Sequence, residues 1–275
     1  MLLQDQPTIE IEKVAAGLQF VDGLAWSRSG YLIAADVRQN RLLRVQGGGR
    51  PTVLKENSGG ASGLSYDLQG RLYICESATR RLSRMDSKGA VEELAGNYQG
   101  KKFNAPNDVV VRRDYHVYFT DPAFGSAADH RELDFNGVFH VTPKGEVEAI
   151  AKWQTRPNGI ALSLDGKLLY ISDSDRHAVV AFDLGRDGDA TNQRDVLKNI
   201  VGVPGGVKTD IEGRLYVAAK GLGIYSPAGK LDRYLYDDIN VTNCAFGEGD
   251  MEHLFMSMRG DIYRAKMGVK GAFQY

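Results

Sequence analysis

The 275-residue chain is poor in the residues that staple, span or arm a protein. Its two cysteines, Cys75 and Cys244, lie far apart in apolar strand contexts, so no disulfide framework exists and both are expected as buried free thiols. No apolar run approaches the roughly 20 residues that span a bilayer. The start, Met1-Leu2-Leu3-Gln4-Asp5, has neither the basic n-region nor the apolar h-region of a secretory leader. A cytoplasmic protein is therefore expected, with a periplasmic or secreted one as the alternative if a leader was removed. Neither sign of charge dominates: 34 Lys and Arg face 35 Asp and Glu, for a formal net charge of -1. Without a basic face to neutralise phosphates, nucleic-acid and membrane partners are not expected. The five histidines show no metal-ligand spacing, and there is no G-x-S-x-G elbow, Walker loop or dinucleotide fingerprint.

What the chain has instead is one short phrase written six times. Asp22-Gly23-Leu24, Ser62-Gly63-Leu64, Asn158-Gly159-Ile160 and Gly205-Gly206-Val207 are each followed by a glycine eight residues after the first position, at Gly30, Gly70, Gly166 and Gly213. Asn107-Asp108-Val109 and Asn243-Cys244-Ala245 repeat the phrase with weaker turns. An apolar, tyrosine-rich run follows each turn, as in Leu72-Tyr73-Ile74 and Leu215-Tyr216-Val217. Units of about 40 to 50 residues that open with a β-hairpin mark propeller blades. The reading is all-β: one six-bladed propeller domain over residues 1–275, with four-stranded antiparallel blades. The second repeat predicts strands at Ser62–Asp67, Arg71–Ser77, Arg81–Asp86 and Ala90–Leu94; the fourth at Gly159–Leu164, Leu168–Ser174, Ala178–Leu184 and Arg194–Ile200. The sixth repeat is one strand short, and the alternating segment from Thr8 to Val14 is expected to close it beside Asp261–Ala265, since closure removes free sheet edges.

First strands of blades line the central channel, so equivalent positions form rings. The first ring is Asp22, Ser62, Asn107, Asn158, Gly205 and Asn243, of which five of six carry side-chain oxygen. Oxygen donors suit a hard cation such as Ca²⁺; the competing reading is turn chemistry, which favours the same residue types. A second ring of acids stands fourteen or fifteen residues later at Asp36, Glu76, Asp121 and Asp173, and the two together predict an acidic cup on one face. The long connection from Asp121 to Asn136, carrying Phe124, is expected as a lid.

Four phrases resemble the senescence-marker-protein, gluconolactonase and luciferin-regenerating-enzyme family: Asn104-Ala105-Pro106-Asn107-Asp108-Val109-Val110-Val111, Tyr118-Phe119-Thr120-Asp121-Pro122, Arg156-Pro157-Asn158-Gly159-Ile160-Ala161 and Thr242-Asn243-Cys244-Ala245-Phe246. Diisopropyl fluorophosphatase is a more distant relative. The resemblance, which runs over about the whole chain, implies a propeller with one divalent ion, usually calcium, at the channel mouth. Asn107 and Asn158 match two of the family's ligands, and Asp22 stands where the family has a glutamate. Gly205 stands where it has an aspartate that is both ligand and candidate base, so weakened or absent cation binding is implied, and Gly205→Asp is expected to strengthen it. The implied activity is hydrolysis of a cyclic ester such as a sugar lactone. On this reading Asp22, Asn107 and Asn158 hold a metal that polarises the carbonyl. Asp108, Asp121 or Asp173 then assists proton transfer, and Ser62, Glu76, Phe124 and Asn243 contact a small-molecule substrate. The alternatives are a metal-independent enzyme using the same pocket and a non-catalytic binding propeller.

Overall fold

In the computed structural model, residues 9–47 and 49–272 are described; Thr8 of the predicted closing strand lies outside them. The turn glycines do what the phrase requires. Gly70 and Gly213 adopt φ of 74° and 78°, conformations closed to most L-residues, and each N–H reaches back to the carbonyl three residues earlier, Asp67 and Asp210.

These hairpins build antiparallel meanders. One four-stranded sheet runs Val21–Ser27, Tyr31–Asp36, Arg41–Val45, Thr52–Glu56 and the next Ala61–Tyr66, Leu72–Glu76, Arg81–Met85, Val91–Ala95. A two-stranded ribbon, Asn97–Tyr98 with Lys101–Lys102, leads to a third sheet of Val109–Val111, Val117–Asp121, Asn136–Val141 and Val147–Trp153. The fourth is Pro157–Leu162, Leu168–Asp173, Ala178–Leu184 and Ala190–Leu197, so its outermost strand begins four residues before the expected Arg194. The remaining strands form one six-stranded sheet instead of two separate meanders. The cause is Leu231–Gly247: its first part pairs with Lys220–Tyr225, and its end, from Val241, pairs with His253–Met258. At the far edge Ile11–Ala15 pairs with Asp261–Lys266, Ile11 opposite Ala265 and Lys13 opposite Tyr263.

Apolar clusters fill the space between successive sheets. Ile33, Leu42 and Ala35 of the first sheet meet Leu64, Leu72 and Ile74 of the second. Cys75 and Leu82 of the second meet Phe119 and Phe139 of the third. The series returns to its start, where Phe255 and Ile262 pack with Leu24, Leu32 and the N-terminal Val14. Trp26 stacks on Phe255 and Trp153 on Phe182, with ring centroids 5.5 and 6.4 Å apart. Both cysteines are free and buried.

The innermost strands also touch in chain order, and the last, Val241–Gly247, touches the first, Val21–Ser27. Their contact is close enough to explain the glycine in the repeated phrase. A Cβ at Gly23 would lie 1.8 Å from the Ser62 carbonyl oxygen, one at Gly63 2.3 Å from the Asp108 Cα, and one at Gly159 2.4 Å from the Gly205 carbonyl oxygen. Only a residue without a side chain lets these backbones meet.

Candidate active site

Where the innermost strands begin, a cavity of about 770 Å³ opens to one face. Its polar wall is four members of the first ring: Asp22, Ser62, Asn107 and Asn158, with the bare backbone of Gly205 beside them. Ser62 Oγ donates to Asp22 Oδ2 at 2.9 Å and accepts from Asn107 Nδ2 at 3.4 Å. Asn158 Nδ2 donates to Ser174 Oγ at 3.1 Å and the Pro204 carbonyl at 3.3 Å. Both asparagines thus spend their N–H groups on the protein and keep their amide oxygens free of protein donors.

Asp22 is the only carboxylate among the described lining residues. Burial pushes it up to about 6, the charge of Asp108 adding to the effect while hydrogen bonds from Ser62 and Asn243 oppose it. Asp108 itself is buried beneath the wall. Its Oδ1 accepts from the Val109 N–H at 2.9 Å and its Oδ2 from the Ile160 N–H at 3.2 Å, which ties the third sheet to the fourth. Desolvation raises its pKa, against the pull of Lys208, whose Nζ lies 3.7 Å from Oδ2. Lys208 escaped notice in the sequence, where only oxygen-bearing ring positions drew attention. The signal was available, because the equivalent positions of the other repeats are Ala25, Ser65, Val110, Ala161 and Phe246, and a lysine among them stands out.

The expected acidic cup is not built, because the second ring faces inward to the loops. Asp121, expected to move protons, is fully buried and accepts from the N–H groups of Asn104 and Ala105, both at 2.8 Å. Burial pushes it up to about 7 in spite of those bonds. Asp173, the other expected proton carrier, accepts from Thr155 Oγ1 at 2.7 Å and from the Asp175 and Arg176 N–H groups. Asp36 likewise holds the Gln19 and Phe20 N–H groups. Glu76, expected to touch substrate, is taken up by Thr79, Arg81 and Ser83; burial alone would raise its pKa, but those three bonds bring it below the usual value. Asp36, Asp121 and Asp173 each grip the backbone or side chain two or three residues before a first-ring position, so these acids position the wall without forming it. Asn243, also expected at the substrate, lies outside the lining; its Oδ1 accepts from the Cys244 N–H at 2.8 Å. Phe124 does line the cavity, together with Ser126 and Ala127 of the short 3₁₀ turn Gly125–His130, and the Arg156 guanidinium sits 4.9 Å over its ring.

The donor set can be tested against the implied cation. It is all oxygen, one carboxylate and two unpaired amide carbonyls, which fits a hard ion in kind. It carries a single negative charge, and no group of three or more His, Cys, Asp or Glu converges anywhere among the described residues. Position 205 does not accept the missing ligand freely: a Cβ there would fall 2.5 Å from the Thr242 carbonyl oxygen.

The sheets and the oxygen-lined cavity where their inner strands begin define an all-β protein of the propeller type, with that cavity as its candidate site. The chain belongs to the SMP-30/Gluconolactonase/LRE-like family, whose model matches residues 20–259. It is 29% identical to a gluconolactonase of Zymomonas mobilis over 95% of this chain and 82% of that protein. Among solved structures, a gluconolactonase from Xanthomonas campestris superposes with a TM-score of 0.87 at 28% identity, covering 94% of this chain and 89% of that one. Regucalcin of Agrobacterium tumefaciens, a calcium-binding protein, shares the fold with a TM-score of 0.76 at 20% identity over 94% and 92% of the two chains. No helix among the described residues is long and apolar enough to cross a membrane.

Proposed function

We propose that this protein is a lactone hydrolase whose chemistry centres on Asp22, in a single six-bladed propeller closed by the pairing of its N-terminal strand with its last one. The cyclic contact of the innermost strands supports the closure. The observation that carries the reaction is the placement of Asp22, the one carboxylate among the described residues lining the cavity, which accepts from Ser62 Oγ at 2.9 Å and which burial and Asp108 push up to about 6. A base poised just below neutral pH is mostly ionised at pH 7 yet still basic enough to take a proton.

The small-molecule lactone enters with its ester at the wall that Asp22, Ser62, Asn107 and Asn158 form. Asp22 accepts a proton as the oxygen of a water adds to the carbonyl carbon. The ring C–O bond then breaks, and the same proton passes to the departing ring oxygen. One water is consumed and one hydroxy acid leaves. Ser62 orients the base through its 2.9 Å hydrogen bond. A divalent cation, Ca²⁺ by the donor chemistry, would be held by the oxygens of Asp22, Asn107 and Asn158 and would supply polarisation of the lactone carbonyl. Asp36, Asp121 and Asp173 serve as positioning residues for the loops that present the wall.

The test is a pH-indicator assay on simple lactones with the wild type and Asp22→Asn. The substitution is nearly isosteric and keeps the Ser62 contact, so the fold should persist while kcat/KM falls by about 100-fold or more. Retention of wild-type turnover by a folded Asp22→Asn protein would remove Asp22 from the chemistry.

A further inference from the structure

The cavity is divided by chemistry, and the division bears on which lactone fits it. Asp22, Ser62, Asn107 and Asn158 supply polar atoms where the inner strands begin, and Ser77, Ser126, Lys220, Asn240 and Thr242 line it as well. Apolar lining comes from Phe20, Val37, Phe124, Ala127 and Val203. Two of these are exposed to a degree unusual for large apolar side chains, Phe20 at 36% and Val203 at 59%, and Val201 beside them reaches 53%. Exposed apolar surface gathered at the mouth of a pocket marks a binding surface more often than an accident of packing.

Two of the remaining polar lining groups are committed to the protein. Ser77 Oγ donates to the Gly60 carbonyl at 2.7 Å, and Thr242 Oγ1 to the Val21 carbonyl at 2.6 Å. Among the described lining residues there is no arginine and one lysine, Lys220, while the Arg38 and Arg156 guanidiniums sit 5.5 and 4.9 Å over the Phe20 and Phe124 rings. A polyhydroxylated ring seated here would have its ester at the polar end and most of its hydroxyls against Phe20, Phe124 and Val203. Each hydroxyl desolvated without a partner is penalised. An alkyl or aryl substituent in the same place would bury apolar area on both sides.

We infer that the physiological substrate class is a lactone bearing an apolar alkyl or aryl substituent on its ring, with the ester at the polar wall and the substituent in the Phe20–Phe124–Val203 collar. The inference rests on the lactonase reading and narrows it.

Three six-membered lactones with the same reacting group test it: δ-valerolactone, which is unsubstituted, δ-decalactone, which carries a pentyl chain, and D-glucono-1,5-lactone, which carries hydroxyls. Initial rates at fixed pH are corrected for spontaneous opening, and kcat/KM is compared for the wild type and for Phe20→Ser/Val203→Ser. A fully buried methylene is worth about a fourfold change in affinity. Partial burial of the pentyl chain should therefore raise kcat/KM for δ-decalactone at least tenfold above both other lactones, mainly through KM, and the double substitution should shrink that ratio several-fold. Preference for the glucono-lactone, or equal rates on the pentyl and unsubstituted rings, would overturn the substrate inference and leave the lactonase reading standing. So would a pentyl preference that the double variant keeps in full. Absence of turnover on all three would overturn both.

Discussion

Gly205 shows how a single residue can carry two meanings. As a member of the first ring it is a missing carboxylate, and restoring that carboxylate reads in the sequence as a route to tighter cation binding. As a point in the fold it is a place where two inner strands touch, its N–H donating to the Ala218 carbonyl at 2.7 Å and its absent Cβ facing the Thr242 carbonyl. The listener to both is the backbone, which has nowhere to retreat. Gly205→Asp is therefore expected to lower stability by about 1–3 kcal/mol, the usual penalty of overpacking. Gly205→Ala should show most of the same loss, because the clash is at Cβ and not at the carboxylate. Urea titrations of the three proteins check this, and an unchanged midpoint for Gly205→Ala would show that the strands can part without penalty. The first ring was legible because its residues recur at fixed spacing, and the cavity gathers Asp22, Ser62, Asn107 and Asn158 from four sheets. The role of the second ring was not legible, because an acid at a strand end looks the same in sequence whether it faces solvent, as a ligand would, or turns back to grip the loop before its neighbour, as Asp36, Asp121 and Asp173 do.

Among the elements, the strand positions of the second repeat were legible almost to the residue, since glycine turns and alternating apolar positions bound each strand. The merging of the last sheets was not, because nothing in the run Leu231–Gly247 marks where one strand's role passes to another's. The histidines gave no sequence signal either, yet two of them meet on the third sheet, His140 on the strand Asn136–Val141 and His116 just before Val117–Asp121. His116 Nδ1 lies 2.7 Å from His140 Nε2, and His140 also stacks on Tyr118 at 4.9 Å. Burial holds both imidazoles below the ordinary value of 6.5. For His116, Asp114 and Asp187 oppose that shift while Arg112 and His140 add to it; for His140, Glu148 and Asp114 oppose it and Arg112 adds to it. The fold thus prefers them neutral, while the unfolded chain takes up protons at about 6.5. Their contribution is present above that pH and is lost as the pH falls through the lower folded values. Replacing the inner imidazole, His140→Gln, should flatten the acid limb of the stability profile below about pH 6.5 while lowering stability at pH 8. Urea midpoints at several pH values measure both effects, and a variant with the wild-type acid limb would place the sensitivity elsewhere.

At the scale of the whole molecule the question is what holds the two ends of the chain together. Ile11–Ala15 and Asp261–Lys266 are joined by ladder hydrogen bonds and by ion pairs, Lys13 to Asp261 at 2.5 Å and Arg264 to Glu12. The ion pairs are poor candidates for the larger share: Lys13 is 46% exposed and Glu12 58%, and pairs so open to water contribute little. The strand does more, since Val14 and Ala15 are buried in the cluster that also holds Leu24, Phe255 and Ile262, and without it the last strand would present an unpaired edge. Two variants separate these contributions. Glu12→Gln/Lys13→Gln, which removes the charges and keeps the strand, should leave the urea midpoint close to that of the wild type. A chain beginning at Leu18, which removes the strand, should lose far more stability and should self-associate in sedimentation or light scattering as the uncovered edge finds partners. Equal stability of the truncated and full-length chains would mean that the inner strands alone, through their glycine contacts and the Thr242-to-Val21 hydrogen bond, keep the ring of sheets shut.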